Sequence, residues 1–145
     1  MLSWDTELHG LGIADMDATH EEFAHLATEV ARAGDDDFPL LFAMLLDHTR
    51  RHFENESRLM RECHFPATGE HEAEHWRILA DLTHMQRAID EGRLGLARLY
   101  ARQGLPDWFR NHLATMDSAL AARLKRQAMP SPAAGRPYRP SARVP

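Results

Sequence analysis

The chain has 145 residues, of which 43% are apolar and 27% are charged, as expected for a single globular domain. Its first 122 residues carry 22 acidic and 11 basic groups, a balance that argues against nucleic-acid binding. No apolar run is long enough to cross a membrane, and the N-terminus lacks the pattern of an export signal. The single cysteine, Cys63, cannot form an internal disulfide, so we expect a cytoplasmic protein without membrane partners.

The apolar spacing is helical along nearly the whole chain, beginning with two long segments. The first helix is predicted over residues 17–33, with Asp17 or Thr19 as its N-cap. The second is predicted to begin near Asp37 and to end before Pro66, because the residue before a proline disfavours helical geometry.

Two further helices complete the predicted domain. The third begins near Thr68 and ends before Gly92. The fourth follows directly, and Gly104 and Pro106 are predicted to kink or break it. Four amphipathic helices with short connections predict an all-α fold, an antiparallel up-down-up-down four-helix bundle over residues 1–127.

The last 18 residues have a different composition. Residues 128–145 are rich in proline, alanine, serine and arginine and contain no acidic residue, which predicts a disordered C-terminal tail. A solvated linker is the preferred interpretation of this tail. Docking of its arginines on an acidic protein partner is the alternative.

Each predicted helix carries polar residues on the face that should turn inward. Side chains four apart share a helix face, so pairs with this spacing can point at one centre. Burying five imidazoles and two carboxylates without a partner would be costly, and two metal ions would use them all. The candidate metal ligands are His20, His52, Glu56, His71, His75, His112 and Asp117.

The stretch "HEAEH", residues 71–75, allows two interpretations. As H-E-x-x-H it would bind zinc in a peptidase, with Glu72 as the base. As H-x-x-x-H it is a plain ligand pair, and Glu72 and Glu74 only face water. Glu72 lies about 100° away from His71 around a helix, so the bundle favours the second interpretation. A set of buried polar residues that holds no metal is the remaining structural alternative.

Several motifs in order resemble the hemerythrin family, specifically single-domain bacterial hemerythrins, over about residues 4–124. They are "SWDTEL", "DMDATH", "HFENESRLM", "FPATGEHEAEH" and "WFRNHLATMD". The resemblance implies a non-heme di-iron centre, Fe2+ or Fe3+ with an oxo or hydroxo bridge, that binds O2 reversibly for transport or storage. By the same resemblance, one iron takes His71, His75 and His112, the other takes His20 and His52, and Glu56 and Asp117 bridge them.

Five neutral imidazoles and only two carboxylates should favour ferrous iron, which supports an O2 carrier over an enzyme. A dry pocket should protect the bound O2, and its candidate lining residues are Phe53, Leu113 and Trp108. One spacing does not fit an ideal helix, because His112 and Asp117 are separated by roughly 140° of rotation. Either a π-bulge aligns them or they approach the metals from different sides.

Other functions remain open at this stage. The same site could report O2, NO or redox state to a partner protein, with the basic tail as the docking segment. Turnover of peroxide or NO is a third option, because open ferrous positions react with several small ligands. Nothing in the sequence requires more than a monomer.

Overall fold

Residues 2–128, which a computed structural model of the protein describes, contain α-helices and no β-strand. Except for Ala128, the residues predicted to form the disordered tail lie outside this range. The elements are α1 (Thr6–His9), α2 (Ala14–Arg32), α3 (Phe38–Glu62), α4 (Thr68–Asp90), α5 (Gly95–Leu99), α6 (Leu105–His112) and α7 (Ser118–Ala128).

The last three helices form one continuous rod over residues 95–128, which we call the C-terminal helix. Two π-helical turns, Tyr100–Gly104 and Leu113–Asp117, join α5 to α6 and α6 to α7. The residues at these junctions keep helical backbone angles, so the direction of the chain does not reverse.

The four long helices pack in sequence, α2 against α3, α3 against α4, and the C-terminal helix against α4 and α2. This closed arrangement confirms the predicted antiparallel four-helix bundle. Fully buried side chains at its centre include Phe23, Phe42, Leu82 and Leu105, each of which stabilises the fold by roughly 1.5–3 kcal/mol. Among the described helices, none is both long and apolar enough to cross a membrane.

The N-terminal boundary of the first long helix differs from the prediction. The helix begins at Ala14, and neither Asp17 nor Thr19 caps it. The Asp17 carboxylate instead accepts hydrogen bonds from the backbone N–H groups of Leu11 and Gly12, at 2.7 and 3.1 Å. Asp17 therefore fixes the loop that leads into α2 rather than the first turn itself.

Gly104 and Pro106 were predicted to kink or break the fourth helix, and the structure contradicts the break. The helix continues through both residues, and the N–H of Leu105 donates to the carbonyl of Tyr100, one residue further back than in an α-helix. A proline ring clashes with the carbonyl four residues earlier in a regular α-helix. The wider π turn directly before Pro106 changes this register, and the helix absorbs the proline without ending.

Candidate metal centre

All seven candidate ligands lie inside the bundle, and none is more than 6% exposed. All four long helices contribute to this cluster, so the bundle must be complete before the cluster can form. The contributions are His20 from α2, His52 and Glu56 from α3, His71 and His75 from α4, and His112 and Asp117 from the C-terminal helix.

Local helix geometry explains why these side chains point to one place. On α3 and α4 the ligand pairs are four residues apart and share a face. On the C-terminal helix, His112 and Asp117 are five apart, and the π turn Leu113–Asp117 brings them together. A π-helix bonds each residue to the one five positions on, so this turn fits the spacing. Of the two alternatives drawn from the sequence, the structure has the π-bulge.

The Glu56 carboxylate lies at the centre of the cluster. Its Oε1 atom is 3.1 Å from Nε2 of His71 and 3.3 Å from Nε2 of His75. Its Oε2 atom is 2.6 Å from Nε2 of His52 and 3.3 Å from Nε2 of His20. One carboxylate therefore turns a different oxygen to each of two histidine groups.

The Asp117 carboxylate repeats this division. Its Oδ1 atom is 3.2 Å from Nε2 of both His71 and His112, and its Oδ2 atom is 3.2 Å from Nε2 of His20. The Nε2 atoms of His75 and His112 are 3.2 Å apart. The cluster thus has a three-histidine side and a two-histidine side, with both carboxylates between them.

The polar atoms fit metal ions better than they fit one another. Within the described part of the chain, neither Asp117 oxygen has a hydrogen-bond partner of acceptable geometry. Buried polar groups without partners are rare because they destabilise the fold, and a metal ion would satisfy these lone pairs. The atoms form two sets, each within 4.8 Å, that could hold a metal ion: Glu56, His71, His75, His112 and Asp117, and His20, His52 and Glu56.

The two carboxylates are strongly acidic in the metal-free protein. Burial favours the neutral form of Glu56, but the surrounding imidazoles hold its pKa well below the usual value. Burial and the neighbouring Glu56 charge oppose ionisation of Asp117, but the close imidazoles of His112, His20 and His71 nevertheless lower its pKa. Both groups are therefore anionic at neutral pH, which is the form that binds metal.

The histidines respond to the same charges in the opposite direction. Burial disfavours protonation of His20 and His71, but Asp117 and Glu56 outweigh it and raise the pKa of each to about 9. For His75, burial prevails and lowers the pKa. Without metal, the cluster balances its two negative carboxylates with protons on imidazoles.

The three residues predicted to line the pocket lie beside the cluster. Phe53 stacks on His75 with ring centres 3.7 Å apart, and Trp108 stacks on His112 at 4.7 Å. Phe53 and Leu113 are buried, and Trp108 is half-buried. Phe53 and Trp108 therefore cover the three-histidine side.

Sequence reasoning did not assign two phenylalanines that cover the two-histidine side. Phe23 and Phe109 stack on each other at 4.7 Å. Phe109 presents its edge to His20 at 5.9 Å, and Phe23 lies edge-on to His52 at 6.4 Å. Phe23 lies three residues after His20, and Phe109 lies three residues before His112. Because residues three apart share a helix face, this spacing could have identified both phenylalanines from the sequence.

The two glutamates of "HEAEH" have separate environments. The Glu72 carboxylate lies on the outside of α4, 4.0 Å from Arg61. Residues 2–128 also contain no sheet, which the alternative interpretation as a zinc peptidase would need to shape a substrate cleft. Glu74 does more than face water, since its carboxylate accepts a hydrogen bond from the indole of Trp108 at 2.6 Å.

Comparisons with known proteins agree with this geometry. A crystal structure of wild-type hemerythrin superposes with a TM-score of 0.78 at 19% identity, covering 86% of this chain and 98% of the other. A crystal structure of a hemerythrin point mutant gives 0.77 at 19% identity, covering 86% and 97%. At these identities the likeness shows the fold alone. A search of curated protein sequences gave no match.

The sequence itself carries the family assignment. The family model described as the hemerythrin HHE cation binding domain matches residues 11–124, which include all seven residues of the cluster. The match spans most of the chain, and the protein belongs to the hemerythrin family.

Proposed function

We propose that this protein binds two iron ions and uses them to bind O2 reversibly, as a carrier or store. The observation that supports it is the division of each carboxylate between two histidine groups. In this proposal His71, His75 and His112 hold one ion, His20 and His52 hold the other, and Glu56 and Asp117 bind both.

The donor set supports iron as the metal. Imidazole is a good ligand for ferrous iron, and two carboxylates are too few for the carboxylate-rich sites that favour higher oxidation states. With two histidines on one side and three on the other, the protein offers fewer ligands to one ion. Two ferrous ions bound there would supply the electrons and the open coordination position that reversible O2 binding requires.

The surrounding side chains support binding over turnover. Phe23 and Phe109 cover the two-histidine side, and Phe53 and Leu113 are buried next to ligand histidines. The side chains of these residues are apolar and carry no acidic proton. A bound ligand at this position would therefore meet few protons that could drive its release in reduced form.

The proposal is tested with full-length protein, reduced without air and then exposed to O2, together with an iron count. We expect two irons per chain and a visible absorption that appears with O2 and disappears on degassing. Two irons that oxidise at once, with no effect of degassing, would contradict the carrier function and favour a sensor or an enzyme. A chain that takes up no iron would contradict the whole proposal.

A further inference from the structure

Glu74 links the surface of α4 to the C-terminal helix. Its Oε1 atom accepts a hydrogen bond from Nε1 of Trp108 at 2.6 Å, and the same oxygen accepts one from Nη2 of Arg77 at 2.9 Å. Its side chain is only 25% exposed. The carboxylate is therefore held between a cation on its own helix and an indole on the facing helix.

The indole lies against one of the candidate metal ligands. It stacks on His112 with ring centres 4.7 Å apart and an interplanar angle of 22°. It also meets Phe53 edge-on at 6.1 Å, and Phe53 in turn stacks on His75. Trp108 and Phe53 thus form one aromatic layer over two of the three histidines on this side.

The hydrogen bond to Glu74 explains why the half-buried indole keeps this orientation. An indole N–H that loses its acceptor in a partly buried position destabilises that rotamer, and the ring then favours orientations in which water satisfies the N–H. Arg77 donates to the same Glu74 oxygen and adds a charge-assisted hydrogen bond that favours this position of the carboxylate. Rotation of the indole away from His112 would expose the ring of this histidine to water.

We propose that Glu74 is a positioning residue, which holds Trp108 against His112 and so covers the ring of this histidine from water. The proposal deepens the function given above and rests on it for the metal. It gives a role to a glutamate that lies next to a candidate ligand in the sequence but does not reach the cluster.

The first test measures the hydrogen bond in the full-length protein as purified. The indole N–H mode of Trp108 is isolated from ultraviolet resonance Raman spectra as the difference from Trp108→Phe. We expect Glu74→Ala to shift this mode toward a weaker hydrogen bond and Glu74→Gln, which keeps a carbonyl acceptor, to restore most of it. Glu72→Ala, in the same motif, should leave it unchanged. An unshifted mode in Glu74→Ala would overturn the proposal.

The second test measures the consequence in the iron-loaded protein. We expect Glu74→Ala to keep two irons and to shorten the lifetime of the O2 adduct by about threefold to tenfold, the range for one lost hydrogen bond. Glu74→Gln should recover most of the lifetime, and in a Trp108→Phe background the alanine change should add little. A normal lifetime in Glu74→Ala would overturn the proposal. If the wild type forms no O2 adduct, the proposed function fails, and the Raman test alone decides whether Glu74 positions Trp108.

Discussion

Nε2 of His112 lies 3.2 Å from Oδ1 of Asp117, although the two residues are five apart on one helix. In a regular α-helix a separation of five would rotate their side chains roughly 140° away from each other. The π turn Leu113–Asp117 removes most of this difference, and Asp117 becomes the second carboxylate of the cluster. Without it, Glu56 alone would lie between the two histidine groups.

Because Glu56 contacts histidines on both sides, it should be required for both metal positions. We expect Glu56→Gln to reduce the iron content from two per chain to one or none, since a neutral amide binds iron far more weakly than a carboxylate. The measurement is an iron count after anaerobic loading. Glu54→Gln, an exposed neighbour on the same helix, is the matched control and should keep two irons. Full iron content in Glu56→Gln would contradict the bridging role.

Phe109 should protect bound O2 without helping to bind metal. We expect Phe109→Leu to keep two irons, to lose about 1–2 kcal/mol of stability, and to shorten the lifetime of the O2 adduct several-fold. The smaller side chain no longer reaches the edge-on position against His20. Phe38→Leu makes the same change at a fully buried core position in the first turn of α3, where Arg98 covers the ring.

Comparison of these two variants separates the protection of bound O2 from the stability of the fold. Phe38→Leu should lose similar stability and keep the wild-type lifetime of the adduct. Equal shortening in both variants would mean that general loosening of the bundle, rather than water access beside His20, limits the lifetime.

The sequence was most informative about residues that lie close together on the same helix. The pairs His52 with Glu56 and His71 with His75 follow from the four-residue spacing alone, and the bundle follows from four apolar stripes. It was least informative where two helices must be aligned. The contact between Glu74 and Trp108 depends on the register of α4 against the C-terminal helix, which periodicity does not specify.

Local departures of the backbone from regular α-helix geometry also led to wrong predictions. The π turn at Tyr100–Gly104 has no signature in the apolar pattern, so the proline beyond it suggested a break. Asp17 was predicted to be the N-cap because aspartate is one of the residue types preferred at that position. Its real partners, the N–H groups of Leu11 and Gly12, belong to a loop whose path only the folded chain determines.

Gly104 is a position in this π turn where an added side chain meets a neighbour. A Cβ atom there would lie 2.8 Å from the ring of Tyr100, so the ring would have to shift. We expect Gly104→Ala to lower the free energy of unfolding by about 1–3 kcal/mol, as overpacking does. Gly95→Ala, in open space at the start of the same rod, should be neutral or up to about 1 kcal/mol stabilising. Urea unfolding of both variants measures this, and equal values would contradict the steric account.

The metal-free protein should lose stability as the pH rises from about 6.5 to about 9. His20 and His71 have pKa values of about 9 in the folded chain, above the ordinary value of 6.5. Below pH 6.5 both histidines are protonated in the folded and in the unfolded chain, and their full contribution to stability is present. This contribution is lost as the pH rises through 9. The lowered pKa values of Glu56 and Asp117 affect stability only in acid, where the protein becomes less stable as the pH falls.

This pH dependence has a measurable size and a control. Urea unfolding of metal-free protein at pH 6, 7.5 and 9 should show a decrease on the order of 5 kcal/mol across the series. His20→Gln removes one of the two groups and should flatten the slope. Metal binding should have the opposite trend, because imidazoles must release these protons before they can bind iron, so affinity should rise over the same interval. A stability of the metal-free protein that is constant or rises between pH 6.5 and 9 would mean that His20 and His71 are not protonated in the folded chain.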